Sequence, residues 1–148
     1  MKTEITLCFD FGNSRKKLAV FSNKKIIAER ILYTDTSGEI ETLLQEFKPQ
    51  KSILSSVINH NPGIEDTLKE KTHFHKLSVA TKLNFTAPVG KPETIGADRL
   101  AIAAAAVHFF PKKNNLVIGL GSCITYNFIS QQHEFLGGAI SPGMQMRF

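Results

Sequence analysis

Four short stretches of the sequence concentrate residue types that handle phosphate and protons. The first is Asp10–Phe11–Gly12–Asn13–Ser14, with Lys17 three residues further on. A carboxylate at a strand end followed by a glycine turn presents backbone N–H groups and a hydroxyl to an anion. Gly12 lets the backbone come close. Asp10 is suited to hold hydrated Mg²⁺ beside a phosphate, and Lys17 supplies opposing charge. A plain Asx-type hairpin turn uses the same residues. The second stretch, Gly119–Leu120–Gly121–Ser122–Cys123–Ile124–Thr125, is another glycine turn between strand-like runs. Two such turns facing each other would clamp a polyphosphate, although a bare hairpin accounts for either alone. The third, Gly96–Ala97–Asp98–Arg99, heads an alanine-rich run. Asp is an ordinary first-turn residue, favoured by the helix dipole. In the chemical reading Asp98 takes the proton of a hydroxyl acceptor, and Arg99 holds a carboxylate through its planar fork. The fourth, Gly137–Gly138–Ala139–Ile140–Ser141–Pro142–Gly143, reads as a rigid turn or a strand-to-helix connector.

Other reactive types are scattered. His60, His73, His75, His108 and His133 have no acid or cysteine at metal-ligand spacing, and they are read as surface or loop residues. Cys8 and Cys123 lie in apolar runs and read as small buried residues of a reduced, cytoplasmic protein. Ser55–Ser56 lacks a nucleophile elbow, and no Walker A pattern is present.

The elements that must position these groups follow from periodicity. Residues 5–10 alternate as a strand. Residues 18–21 and 25–33 form the next two, joined by a turn at Asn23–Lys24. Ile40, Leu43, Leu44 and Phe47 have helical spacing, and Pro49 ends that helix. A buried strand is expected at 52–58, a helix from Asn61 to about Lys71, and a short strand at 75–79. Residues 81–94 are loop-like, with Pro88, Gly90 and Pro92 as punctuation. Residues 97–110 form the strongest helix, and Pro111 stops it. Strands follow at 116–120, 124–129 and 134–136, and a helix is expected to begin at 143–148. The strand–turn–strand–turn–strand pattern thus occurs twice, which implies two similar lobes. The expected division is a first lobe over residues 1–112 and the start of a second, unfinished lobe over 113–148.

Bulk composition is compatible with this. The chain has 148 residues, 42% of them hydrophobic, and a net charge of +5. The lysines are paired, not massed, so no nucleic-acid footprint is expected. A modest positive field suits anionic substrates. No apolar run is long enough to span a bilayer. The first apolar run ends at Asp10, too early for a secretory signal.

Taken together and in this order, the four stretches resemble the type III pantothenate kinase family. Asp10–Ser14 through Lys17 matches its first phosphate motif, and Ser55–Ser56–Val57 a strand-end segment. Gly96–Ala97–Asp98–Arg99 matches its Gly-x-Asp-Arg motif. Gly121–Ser122–Cys123–Ile124–Thr125 matches most of its second phosphate motif, and Gly137–Gly143 its Gly-Gly-x-Ile-x-Pro-Gly segment. The resemblance implies an α/β, actin-like (ribonuclease H-like) fold: a mixed sheet flanked by helices, with the beginning of a second related domain. It implies ATP-dependent phosphorylation of pantothenate, the first step of coenzyme A synthesis, by a homodimer. Asp98 matches the catalytic base. Gly96, Ala97 and Arg99 match the pantothenate site. Asp10, Gly12, Asn13, Ser14, Lys17, Gly121, Ser122 and Cys123 match ATP-phosphate contacts, with Asp10 also at the Mg²⁺.

Three positions depart from the family pattern. Gly119 and Asn127 stand where the second phosphate motif carries Asp, which bears on the monovalent cation, K⁺ or NH₄⁺, that family members use. Val89 stands where the pantothenate pocket usually has Tyr. A non-catalytic binding or regulatory protein on the same fold, or another actin-like sugar or acid kinase, are the competing readings. The family chain runs well past residue 148, so the isolated piece is expected to have little or no activity.

Overall fold

The computed structural model describes residues 3–147. It comprises two compact units that meet in sequence between Lys76 and Leu77.

The first unit is a five-stranded mixed sheet with two helices. Strands β1 (Ile5–Phe11), β2 (Lys16–Ser22) and β3 (Lys25–Leu32) form an antiparallel meander. The β2–β3 turn has two residues, and Asn23 adopts φ 55° there. Asn tolerates that left-handed conformation better than most side chains. Helix α1 (Ser37–Phe47) then crosses to β4 (Lys51–Ser56), and α2 (Pro62–Lys71) to β5 (His73–Lys76). Both crossovers add strands parallel to β1, giving the order β3-β2-β1-β4-β5. Alternation on β1 sends Leu7, Phe9 and Phe11 to one face. There they pack with Leu18, Val20 and Leu54 and with Ile40, Leu43, Ile64 and Leu68 of the helices. Fully burying each such side chain is worth roughly 1.5–3 kcal/mol before entropy is counted.

The helix ends are fixed locally. Thr36 caps α1 by accepting from the Glu39 N–H, while Glu39 accepts from the Thr34 N–H and hydroxyl. This satisfies donors that no helical carbonyl can reach. Lys48 closes α1 in a left-handed cap before Pro49. Asn61 caps α2 with Pro62 at its first turn, where a missing N–H costs nothing.

The second unit contains helix α3 (Ala97–Phe109) and the antiparallel sheet β6 (Asn115–Leu120), β7 (Cys123–Ile129) and β8 (Phe135–Pro142). Leu100, Ala103, Ala106 and Val107 of α3 share a core with Ile129 and Phe135. The alanines let the helix sit close to the strands.

Several sequence expectations are corrected here. Compactness groups α3 with β6–β8, whereas the repeated pattern had put the lobe boundary at 112/113. The reason is the common core just described. The strand expected at 75–79 lies at 73–76, paired in register with β4. The glycine-rich stretch 137–142 is not a turn but the body of β8. Gly137, at φ 125°, lies where the β7–β8 register shifts, so the strand continues through a bulge. The helix expected from 143 is a single 3-10 turn at Met144–Met146. Phe148, at the end of that expected helix, lies outside the described residues.

Candidate functional site

The first glycine turn sits at the β1–β2 corner. Asp10 lies opposite Lys17 across the hairpin and beside Ser55 on β4. The Lys17 ammonium is 3.6 Å from the Asp10 carboxylate, and both side chains are about half exposed. An ion pair this open contributes little to stability, so both groups remain accessible to a ligand. The Gly12 N–H donates to the Arg15 carbonyl at 3.0 Å, closing a turn that leaves Asn13 and Ser14 exposed. A cleft of about 570 Å³ borders this turn, lined by Gly12, Ser14, Arg15, Lys16 and Ile31–Tyr33.

Adjacent lysines of the hairpin have different tasks. Lys16 donates to Asp35 at 2.9 Å and to the Thr34 carbonyl at 3.1 Å, and its ammonium lies 5.9 Å from the Phe11 ring. The Lys16 hydrogen bond holds the Asp35 carboxyl below its ordinary value against the opposing effect of burial, with a further lowering by the bond from the Asn61 N–H. Lys16 thus anchors the hairpin, and Lys17 faces Asp10.

At the end of β4, the Ser55 hydroxyl is buried with no partner among the described residues. Ser56 belongs to a network that sequence reading missed. Its hydroxyl donates to the Ile58 carbonyl and contacts His60 Nδ1 at 3.0 Å, while His60 Nε2 lies 3.0 Å from Glu65. Lys76 donates to the same carboxylate at 2.6 Å. Burial pushes the Glu65 carboxyl up, but Lys76, His60 and Lys69 together outweigh it and hold the group low. His60 was expected at the surface; only 5% of its side chain is exposed, and it packs edge-on against Phe11. The signal available in sequence was the Ser56-x₃-His60-x₄-Glu65 spacing, unremarkable until α2 folds back.

In the second unit, Gly96 caps α3 and accepts from the Leu100 N–H, so Asp98 and Arg99 occupy its first turn. Asp98 is half-buried, and its carboxylate has no hydrogen-bond or ion-pair partner among the described residues. Arg99 is held from three sides. Its Nε donates to Asn127 Oδ1 at 2.6 Å, an Nη donates to the Tyr126 carbonyl at 3.3 Å, and the guanidinium carbon lies 5.5 Å from the Phe135 ring centre. Gly138 makes this possible: a Cβ there would lie 2.7 Å from the Arg99 nitrogen and collide with the Tyr126 carbonyl. Ala97 and Val89 pack on the surrounding core.

The second glycine turn joins β6 to β7, with the Gly121 N–H donating to the Cys123 carbonyl at 3.1 Å. The Gly143 N–H donates to the Ser122 carbonyl at 2.9 Å, and a Cβ on Gly143 would strike the Gly121 and Ser122 carbonyls. Gly143 is therefore the brace of this turn. Cys123 Sγ lies 4.0 Å from the Met146 sulfur. Cys8 and Cys123 are both free thiols.

Among the described residues, no group of three or more His, Cys, Asp or Glu is placed to hold a metal ion. Asp10 offers one half-exposed carboxylate. That suits Mg²⁺ that arrives with a nucleotide and completes its shell with phosphate oxygens and water. A monovalent cation does not fit the residues at 119 and 127. Gly119 has no side chain, and the Asn127 side-chain oxygen is taken by Arg99.

Comparison with known proteins is consistent across the chain. The family model for type III pantothenate kinase matches residues 6–148. Type III pantothenate kinases of Christiangramia forsetii and Cytophaga hutchinsonii are 40% and 35% identical to it, each over 97% of this chain and 60% of their own length. The chain thus spans about 60% of the length of these curated relatives. Among solved structures, a conserved Baf family protein of Campylobacter jejuni is similar with a TM-score of 0.52 at 28% identity, over 94% of this chain and 55% of that one. A Ppx/GppA phosphatase of Aquifex aeolicus has a TM-score of 0.51 at 17% identity, over 94% and 52%, a likeness of fold alone. The mixed sheet with flanking helices is of the α/β class. With the ordered loops and a family match from strand β1 onward, the chain belongs to the type III pantothenate kinase family.

Proposed function

We propose that the full-length protein carrying this chain transfers the γ-phosphoryl group of ATP to pantothenate, opening coenzyme A synthesis. The observation that carries this is the first turn of α3, where an unpartnered Asp98 carboxylate adjoins an Arg99 fixed by Asn127 and Tyr126. Arg99 reads the acceptor's carboxylate. Asp98 orients the acceptor hydroxyl and takes its proton as the oxygen–phosphorus bond forms and the bond to ADP breaks. Gly12, Asn13, Ser14 and Lys17 are the phosphate contacts of the first unit, and Gly121, Ser122 and Cys123 are those of the second. Asp10 holds Mg²⁺, which when bound neutralises charge on the transferring phosphoryl group. Gly96 and Ala97 let the acceptor approach the helix start, and Val89 shapes an acceptor pocket without the family's phenol. The protein works as a cytoplasmic homodimer, with no nucleic acid or membrane partner. No helix among the described residues is long and apolar enough to cross a membrane.

The test is ADP release dependent on pantothenate, measured on the full-length protein and on Asp98→Asn. A true base leaves the variant at least about 10²-fold slower in kcat. Full activity in Asp98→Asn, or no turnover of the wild type with pantothenate, rejects the reading. A non-catalytic ligand-binding protein is the second reading, favoured by the neutral residues at 119 and 127. Calorimetry showing tight pantothenate or nucleotide binding without turnover would establish it.

A further inference from the structure

Both ends of the first glycine turn are tied to the segment that leads into α2. Phe11 enters the turn. Its ring packs edge-on against His60, with centres 5.3 Å apart, and its carbonyl accepts from the Val57 N–H at 3.1 Å. Lys16 leaves the turn. Its side chain is 20% exposed against 58% for Lys17, and its ammonium is directed to Asp35 and the Thr34 carbonyl. Asp35 has a second task besides holding Lys16. Its Oδ1 accepts from Lys16 at 2.9 Å, while its Oδ2 accepts from the Asn61 N–H at 2.8 Å. Its backbone carbonyl accepts from Asn61 Nδ2 at 3.0 Å, and Asn61 Oδ1 caps α2 by accepting from the Gly63 N–H at 2.9 Å. The loop that carries Asp35 is itself pinned to α1, because Glu39 accepts from the Tyr33 and Thr34 N–H groups. One carboxylate therefore joins the exit of the glycine turn to the starts of two helices.

We propose that Asp35 is a positioning residue for this turn: through Lys16 and Asn61 it fixes the turn's exit, so that Asn13, Ser14 and Lys17 meet the ATP phosphates in one arrangement. A turn held ready in this way binds an anion without first losing backbone freedom. Asp35 also divides the work of two adjacent cations. Lys16, whose charge it neutralises, braces the turn, and Lys17 is left for phosphate. This inference rests on reading the turn as an ATP-phosphate contact. It adds to that reading a residue on another loop that touches no substrate.

The experiment measures kcat and the KM values for ATP and pantothenate on the full-length protein. Asp35→Ala removes both side-chain acceptors, and Asp35→Asn keeps one of them. Each is expected to raise KM for ATP about three- to tenfold, the scale of the hydrogen bonds lost. The kcat value and KM for pantothenate should stay within about twofold. The sign is diagnostic. Removing an acid near an anion site would by charge alone favour ATP, so a lowered or unchanged KM overturns the proposal. Amide exchange at residues 12–15 should quicken in Asp35→Ala and stay as in the wild type at 121–123. Unchanged exchange at 12–15 also overturns it. Lys16→Met keeps the side-chain stem and removes the ammonium. In the Asp35→Ala background it should add little, because the bridge is already cut. A full added effect there would put Lys16 on the phosphate and overturn the division of work. Asp35 is 41% exposed, and an ion pair this open adds little to stability, so the variants should fold. Thermal melting checks this, and Asp35→Asn decides where Asp35→Ala does not fold. Lys17→Met separates the two ideas: if it leaves KM for ATP unchanged, the turn does not hold phosphate, and both readings fall. If Lys17→Met raises that KM and the Asp35 variants do not, only the present inference falls.

Discussion

The Cys8 thiol lies on β1, level with Ala19 and Ile53 of the neighbouring strands. Burial pushes its pKa up to about 11, because a low-dielectric setting disfavours the thiolate. At pH 8 only about one Cys8 in a thousand is then the nucleophilic form. Cys8 should resist alkylation in the folded protein at pH 8 and react readily in denaturant, as mass spectrometry of the modified protein will read. Rapid native labelling of Cys8 would contradict the burial described here. The same shift has a sign for stability. The folded pKa is raised, so the contribution is complete below the unfolded value and is lost as pH rises through about 11. Candidate residues could be picked out from the sequence, their roles being matters of proposal. Asp10, Gly12, Lys17, Asp98 and Arg99 were singled out by type and spacing. The partners Asn127, Tyr126 and Gly138 were not joined to Arg99, because only the sheet brings residues 27–39 positions away onto it.

At the scale of elements, meander, crossover helices and α3 were all readable, since each carries its own period and stop signal. What was misread was the glycine-rich stretch 137–143. Two adjacent glycines and a proline look like a turn when nothing shows what they must avoid. Here Gly138 yields space to a backbone carbonyl and a guanidinium, and Gly143 to two carbonyls of the facing turn. These are demands of close approach within a strand and at its end. Gly143→Ala therefore tests how the second glycine turn is held. The new methyl group must displace backbone atoms, which are less yielding than a flexible side chain. We expect a loss of about 1–3 kcal/mol in denaturant unfolding, the usual scale of overpacking. Amide exchange at residues 121–123 should also quicken. Unaltered exchange there would mean that Gly143 does not brace the turn. Gly38→Ala is the control, since a Cβ there meets nothing within 4 Å.

For the whole molecule, the notable surface is the face of the β6–β8 sheet carrying Leu116, Ile118, Leu120 and Phe128. Their exposures are 61%, 48%, 82% and 39%. Leu116 and Phe128 are register partners, so these side chains form a contiguous apolar face. A surface of this kind drives association unless something covers it. The 148-residue polypeptide by itself should bind a hydrophobic dye and scatter light increasingly with concentration, and Leu116→Lys with Leu120→Lys should suppress both. Equal dye binding by the double variant would show that another surface is responsible.

The division between Lys76 and Leu77 bears on how the chain is made as well as on what it does. Each compact unit draws its core from one unbroken stretch of sequence. No strand of the first sheet waits for a residue that is synthesised later than Lys76. During translation, the sheet that carries Asp10 and Lys17 can therefore close while the residues of the second unit are still emerging, a domain-by-domain order that spares the nascent chain long-lived unpaired strand edges.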